Sequence, residues 1–517
     1  MAYRYPLVFS DDSSSRRLRR AAVGGERVRW LPGAYAARER VPVLSGSPLP
    51  GVPVGCDDLT GRGMRNSNNG EAAATAVQAS QHPRGLYFLA FTEAWERFSY
   101  YGMSGLVVLY MVNQLLLPGH IEHIAGFASF RAALESVTGP LTTVALASQL
   151  FGLYSGFVYF TPVLGGIVAD RWIGQRNAVV LGALAMSGGH LAMSFERSFL
   201  LALLLLVLGS GLLKGNISTQ VGALYPPGDE SMRTRGYTIF STAINVGAVA
   251  GPLVCGFVAQ TFGWDYGFGI AAVFMLGGLA TYLYGYRYLP ARVTRVRAPS
   301  APLTAAQWRT VAALVVVMII AIFQSISYYQ LANMLPVWIQ QHVSLSVGSA
   351  TIPIPWFQSI DSFASIAAVP LLIMLWRHQA ARGTEPGDLA KMGIGAAIAA
   401  ASNLVLVFAI AGAGDAPIHV LWPVLYCIGM GVGFIYYWPT LLALVSRAAP
   451  ARINATMMGV AFLTLFISNN LIGWLGRYYE RMSPLEFWLM HAAIGAAGAL
   501  LVLLLKRPLE RTLAPPS

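Results

Sequence analysis

The chain has 517 residues, of which 55% are hydrophobic and only 11% charged, with a mean hydropathy of +0.55. Soluble proteins carry about 25% charged residues, so the composition argues against a string of soluble domains and for a chain that sheds most of its surface into lipid or protein. The net charge of +12 and pI near 9.7 do not point to nucleic acid: no compact basic domain remains once the apolar segments are set aside, and Arg and Lys beside membrane spans set topology.

Residues 1–84 hold Ser13-Ser14-Ser15, the run Arg16-Arg17-Leu18-Arg19-Arg20, scattered Gly and Pro, and no spanning stretch. They read as a disordered basic extension, or as sequence upstream of a true start at Met64 or another site, and no function is assigned to them. No apolar h-region follows the arginines, so a signal peptide is not predicted. Beyond them, apolar segments of the roughly 20 residues that a bilayer core demands recur. Twelve spans are predicted, centred near residues 103, 155, 187, 210, 248, 277, 324, 364, 400, 430, 464 and 495.

The first span reads Phe91-Thr92-Glu93-Ala94-Trp95-Glu96-Arg97-Phe98-Ser99-Tyr100-Tyr101-Gly102. Glu93, Glu96 and Arg97 stand at i, i+3 and i+4, hence on one helix face, and Tyr100, Tyr101 and Ser104 continue the stripe. Ionisable groups facing lipid cost several kcal/mol, so these face a cavity or each other. Two carboxylates beside one Arg are the electrostatics of a proton carrier; a static salt bridge pinning the bundle is the alternative. After the second span, Gly165-Gly166-Ile167-Val168-Ala169-Asp170-Arg171 offers glycines for close approach of helices and a pair, Asp170 and Arg171, for the inner mouth. His190 in the third span reads as a packed histidine.

Lysine is avoided throughout, occurring only as Lys214, Lys391 and Lys506. Lys214 sits mid-span in Gly209-Ser210-Gly211-Leu212-Leu213-Lys214-Gly215-Asn216-Ile217-Ser218, where a compact ammonium serves to dock a carboxylate. It is expected to approach the first-span acids, and Gly211 and Gly215 to admit a neighbouring helix. A basic, Pro-containing linker over 290–306 then divides the spans into six-helix halves, 85–289 and 307–506, with a tail over 507–517. With the N-terminus inside, Arg131, Arg197, Arg477 and Arg481 alone fall outside, an asymmetry that puts both termini in the cytoplasm. In the second half the seventh span, Ser325-Ile326-Ser327-Tyr328-Tyr329-Gln330, carries no acid, while Asp361 lies deep in the eighth. Trp438, beside Pro439 in the tenth span, is the one tryptophan expected at a binding pocket; Trp356, Trp376, Trp422 and Trp474 read as interface anchors or packing. Cys56, Cys255 and Cys427 show neither disulfide nor metal spacing, and no nucleophile–base pattern or phosphate loop suggests an enzyme.

The loop after the second span resembles the inner-loop motif of the major facilitator superfamily. The Glu-x-x-Glu-Arg-Phe-x-Tyr-Tyr-Gly pattern resembles the hallmark of that superfamily's proton-dependent oligopeptide transporters. Gly211 to Ser218, Tyr237 to Gly247, Gly263-Trp264 with Gly267-Phe268, Phe357-Gln358-Ser359, Ala449-Pro450 and Met457-Met458-Gly459 extend the likeness over most of 86–506. The resemblance implies an all-α polytopic protein of twelve helices in the cell membrane. It further implies symport of di- and tripeptides with protons by alternating access, by a monomer, with the proton gradient in place of any cofactor. Glu93, Glu96 and Arg97 would handle the proton, Lys214 would face the peptide carboxylate, and Tyr100, Tyr101, Tyr154 and Asn245 would line the pocket; Tyr328 of the seventh span is expected to bind substrate as well. Ser104 departs from the family's usual Arg or Lys, and the seventh- and tenth-span acids are missing. Asp361, where Asn is usual, is expected to replace the lost acid as an amine ligand or second proton site. These departures leave open a modified peptide, an amino-acid conjugate or a drug as the solute, with efflux as the alternative direction.

Overall fold

The computed structural model describes residues 82–226, 229–290 and 302–513. The expected extension up to residue 81, Met64, Cys56 and most of the basic linker therefore lie outside the described residues.

Fourteen α-helices account for the architecture of the described residues. They are α1 Arg84–Tyr110, α2 Phe127–Thr138, α3 Thr143–Val168, α4 Gln175–Ala192, α5 Phe199–Ala223, α6 Glu230–Phe262 and α7 Trp264–Gly285. The second half holds α8 Ala305–Tyr329, α9 Met334–His342, α10 Trp356–Ala381, α11 Asp388–Ala413, α12 Leu421–Ala448, α13 Asn454–Leu475 and α14 Pro484–Leu513. All but the short α2 and α9 coincide with the twelve predicted spans, and every predicted centre falls inside its helix. Among the described residues, 10 of these stretches are long and apolar enough to cross a membrane. The remaining two are α1, which carries Glu93, Glu96 and Arg97, and α4, which opens on Gln175, Arg176 and Asn177. The protein is a multi-pass membrane protein.

Local chemistry fixes the helix ends. Thr304 caps α8 in a capping box with Gln307, and the side chains of Thr142 and Asp229 accept from the first turns of α3 and α6; each satisfies a backbone N–H that a helix start leaves orphaned. Between α6 and α7 the chain reverses at Gly263, whose φ of 111° only glycine adopts without strain. Helix α14 runs on to Leu513, so the beginning of the expected tail is helical, with Lys506 3.9 Å from Glu510 one turn on.

In the first half α1 packs on α6 and α7, α3 on α5, and α4 on α5 and α7; in the second, α11 packs on α12 and α14, α10 on α12, and α8 on α14. The halves meet where α3 packs on α13 and α6 on α10. Both seams are built on small residues, as helix contacts in lipid require. A Cβ on Gly152 of α3 would lie 2.5 Å from the Asn469 carbonyl and 2.7 Å from the Gly473 Cα of α13. Hydrogen bonds reinforce the end of the bundle away from the described chain ends: Ser359 Oγ to Val249 O at 2.7 Å, Trp356 Nε1 to Leu253 O at 2.9 Å, and Asn113 Nδ2 to Gln340 Oε1 at 3.0 Å.

The G-x-x-x-G expectation holds at Gly211, whose Cβ would meet Thr161 at 2.7 Å, while Gly215 has only ordinary clearance from Pro162. In the loop motif, Gly165 rather than Gly166 makes the close approach: a side chain on Gly165 would collide with the Gly211 carbonyl, whereas Gly166 faces open space. Asp170 and Arg171 are exposed on the short turn that follows α3, and Asp170 accepts from Gln175 Nε2 at 3.5 Å. Cys255 and Cys427 are fully buried packing residues, and so is His190.

Candidate functional site

Glu93, Glu96 and Arg97 of α1 form one buried unit. Arg97 Nε lies 2.8 Å from Glu93 Oε1 and 2.7 Å from Glu96 Oε2, and none of the three side chains is more than 1% exposed. The unit can be buried because α6 comes so close: a Cβ on Gly247 would lie 2.8 Å from the Arg97 Cβ, and Gly251 abuts the Phe98 carbonyl. One guanidinium thus answers two carboxylates, leaving one negative charge uncompensated within the unit.

Lys214, on α5, is also buried and makes no hydrogen bond or ion pair to the described residues. Its expected approach to the α1 acids stops short of contact, because Arg97 already holds both carboxylates. The ammonium instead lies over two phenol rings, 4.2 Å from the Tyr100 centroid and 5.7 Å from that of Tyr159. Cation–π attraction offsets part of its desolvation, but its three N–H donors stay unused.

Those same rings open onto a cavity between the halves. Tyr100, Tyr101 and Ser104 of α1 and Phe151, Ser155 and Tyr159 of α3 form one wall. The other comprises Tyr328, Tyr329, Leu331 and Ala332 at the end of α8, Gln358, Asp361 and Ser362 of α10, Phe434 of α12 and Asn469 of α13. Lys214 stands one ring's thickness behind it. Asp361 is the cavity's single ionisable carboxylate, no cation is among its lining, and Tyr328 Oη donates to Asp361 Oδ2 at 2.9 Å. The ring of Tyr328 packs on Phe434 with centroids 4.9 Å apart, and Tyr159 faces Tyr329 across the halves at 6.3 Å.

The structure therefore brings Tyr100, Tyr101, Tyr328 and Asp361 to the cavity and places Glu93, Glu96, Arg97 and Lys214 behind its first-half wall. Tyr154 is buried in α3 and Asn245 half-buried on α6, neither of them lining the cavity. Trp438 does not reach it either: its ring is 1% exposed and packs edge-on against Phe462 at 5.4 Å, in the apolar core of the second half. Sequence reasoning missed Tyr159, Tyr329, Phe434 and Asn469. An aromatic or amide in an apolar segment carries no signal of its own, although the pair Tyr328-Tyr329, placed where an acid was expected, pointed to that turn.

A bundle of long apolar helices with buried charges beside a central cavity defines a membrane transporter. The chain belongs to the major facilitator superfamily, whose model matches residues 98–473. Curated relatives include the uncharacterized transporter YclF of Bacillus subtilis, 27% identical over 84% of this chain and 96% of its own length. The peptide transporter YePEPT of Yersinia enterocolitica is 27% identical over 82% and 94%, and a di-/tripeptide transporter of Lactococcus lactis 26% over 83% and 96%. A solved peptide transporter POT variant in complex with alafosfalin superposes with a TM-score of 0.73 at 25% identity, covering 84% of this chain and 96% of the other. The likeness to oligopeptide transporters drawn from the first-span motif agrees with the peptide transporters among these relatives.

Proposed function

We propose that the protein is a proton-coupled symporter that imports short peptides across the cell membrane by alternating access, as a monomer with both termini in the cytoplasm. The observation that carries this is the division of charge about the cavity. On one side stand two acids and two bases, Glu93, Glu96, Arg97 and Lys214, whose charges sum to zero when all are ionised. On the other stands Asp361, alone on the lining. A peptide zwitterion fits that polarity: its ammonium goes to Asp361 among the rings of Tyr328 and Phe434, and its carboxylate towards Lys214 past Tyr100. Ser104, Ser155, Gln358 and Asn469 supply donors and acceptors for the backbone between, and Phe151 and Leu331 supply apolar wall for side chains, the pattern of few polar groups on an apolar lining.

Coupling follows from the neutral tetrad. Protonating Glu93 or Glu96 leaves Arg97 and Lys214 with an excess positive charge beside the cavity, which strengthens the hold on a substrate carboxylate. Binding of that carboxylate favours the protonated acid by the same amount, since linkage is reciprocal. Asp170 and Arg171 sit at the inner mouth and act there in gating, not in binding. Labelled dialanine should accumulate in proteoliposomes under an inward proton gradient and leak out when an uncoupler is added; accumulation unaffected by the uncoupler would refute the coupling.

A second reading keeps the mechanism and changes the solute. Ser104 and the missing seventh-span acid remove charges that resembling transporters use, which favours a modified peptide, an amino-acid conjugate or a drug. A competition panel of di- and tripeptides, capped peptides and modified amino acids, run across pH, separates the two.

A further inference from the structure

The seventh span is discontinuous. Helix α8 stops at Tyr329 and α9 starts at Met334, and the intervening turn puts Leu331 and Ala332 into the cavity wall while sending Gln330 and Asn333 the other way. Both amides are fully buried, as are His491 of α14 and Ser148 of α3.

These four side chains form one continuous hydrogen-bonded line. His491 Nδ1 lies 2.9 Å from the Phe487 carbonyl, which can only accept, so that nitrogen carries the proton and Nε2 is the acceptor. Gln330 Nε2 then donates to His491 Nε2 at 2.9 Å, which orients the amide and turns its Oε1 towards Asn333. Asn333 Nδ2 is 3.2 Å from that oxygen and donates to Ser148 Oγ at 2.8 Å. Ser148 in turn points at the Ile472 and Gly473 carbonyls of α13, at 3.4 and 3.3 Å. The line starts deep in the second half, passes behind the cavity wall and ends at the α3–α13 seam. There Ser148 is the first-half contribution, pressed against Gly476, which leaves no room for a side chain of its own. Each member's orientation is fixed by the one before it.

We infer that His491, Gln330 and Asn333 are positioning residues that couple the cavity wall to closure of the outer seam through Ser148. With the seam shut, Ser148 completes the line and the Gln330–Asn333 turn is held in its cavity-lining form. When α3 parts from α13, Asn333 loses Ser148, the shortest of its three contacts, and is left with Gln330 Oε1 at 3.2 Å and the Ile472 carbonyl at 3.3 Å, so the turn bearing Leu331 and Ala332 is held less firmly. A solute that presses on that turn thereby acts on the seam. The inference rests on alternating access in this superfamily and not on the solute being a peptide.

The test measures the seam directly. Spin labels at Val137 and Arg481, both exposed, report the outer opening by electron–electron double resonance in nanodiscs, with no transported solute required. Ser148→Ala removes the seam hydroxyl, and Gln330→Met breaks the line a step further into the second half at nearly constant volume. Each should shift the closed-to-open ratio by roughly three- to twentyfold, the range expected for one interhelical hydrogen bond in a bilayer, and the double variant should shift it no further than the larger single one. A packing role for Gln330 confined to the second half would leave the seam unmoved. A wild-type distribution in Gln330→Met, or fully additive shifts in the double variant, overturns the inference. His491→Met tests the same link if Gln330→Met does not fold. Because the readout is a distance, failure here is separate from failure to take up peptides.

Discussion

Replacing Asp361 by Asn keeps the shape of the cavity and removes its one carboxylate. The Tyr328 hydroxyl, 2.9 Å from Oδ2, still finds an amide oxygen to donate to, so the rings of Tyr328 and Phe434 keep their places and the change is confined to charge. A hydrogen bond to a charged partner contributes about 1.5–3 kcal/mol. At 1.4 kcal/mol per tenfold, the variant should bind a peptide with a free amino terminus about 10- to 150-fold more weakly. An N-acetylated peptide, which brings no ammonium, should change little. Competition by dialanine and by N-acetyl-dialanine against one transported solute in proteoliposomes gives both numbers for wild type and Asp361→Asn. If the variant transports dialanine at the wild-type rate with the wild-type pH dependence, Asp361 neither binds the amine nor titrates, and the assignment of cavity polarity is wrong.

Three further outcomes follow from the same geometry. Lys214→Ala should weaken free peptides by tenfold or more while sparing C-terminally amidated ones, measured as a ratio of inhibition constants; equal loss for both would assign Lys214 to the structure of the bundle. Glu93→Gln or Glu96→Gln should abolish uphill accumulation under a proton gradient yet retain solute counterflow, and retained accumulation in both variants would remove these acids from coupling. Gly152→Ala places a methyl 2.5 Å from the Asn469 carbonyl; overpacking of this kind costs about 1–3 kcal/mol. It should therefore favour the state in which the outer seam is open, seen as increased alkylation of a cysteine introduced at Ser155 from the outer side.

The twelve spans and the chemistry of α1 were legible because both depend on short-range pattern: runs of apolar residues set by bilayer thickness, and three ionisable groups on one helix face that lipid would not tolerate. The isolation of Lys214 against a lysine-poor background was legible for the same reason, but its partner was not. Whether an ammonium meets a carboxylate or a phenol depends on which group already holds the carboxylates, and here Arg97 holds both. Trp438 was expected at the pocket for its place beside Pro439 in the tenth span, and it lies one turn beyond the cavity-lining Phe434 on α12. The cavity ends before it, and Phe462 closes over the ring. The break between α8 and α9 had a local hint in the polar run from Gln324 to Gln330, whereas the line from His491 to Ser148 joins three parts of the chain far apart in sequence and has none.

The grouping of Glu93, Glu96, Arg97 and Lys214 also has an electrical side. Moving one elementary charge through the membrane potential is worth about 2.3 kcal/mol per 100 mV. An empty carrier that reorients these four groups as a balanced set moves no net charge on their account, so voltage scarcely resists its return. In the proposed cycle a bound proton unbalances the same set by one unit, which gives the membrane potential a charge to act on.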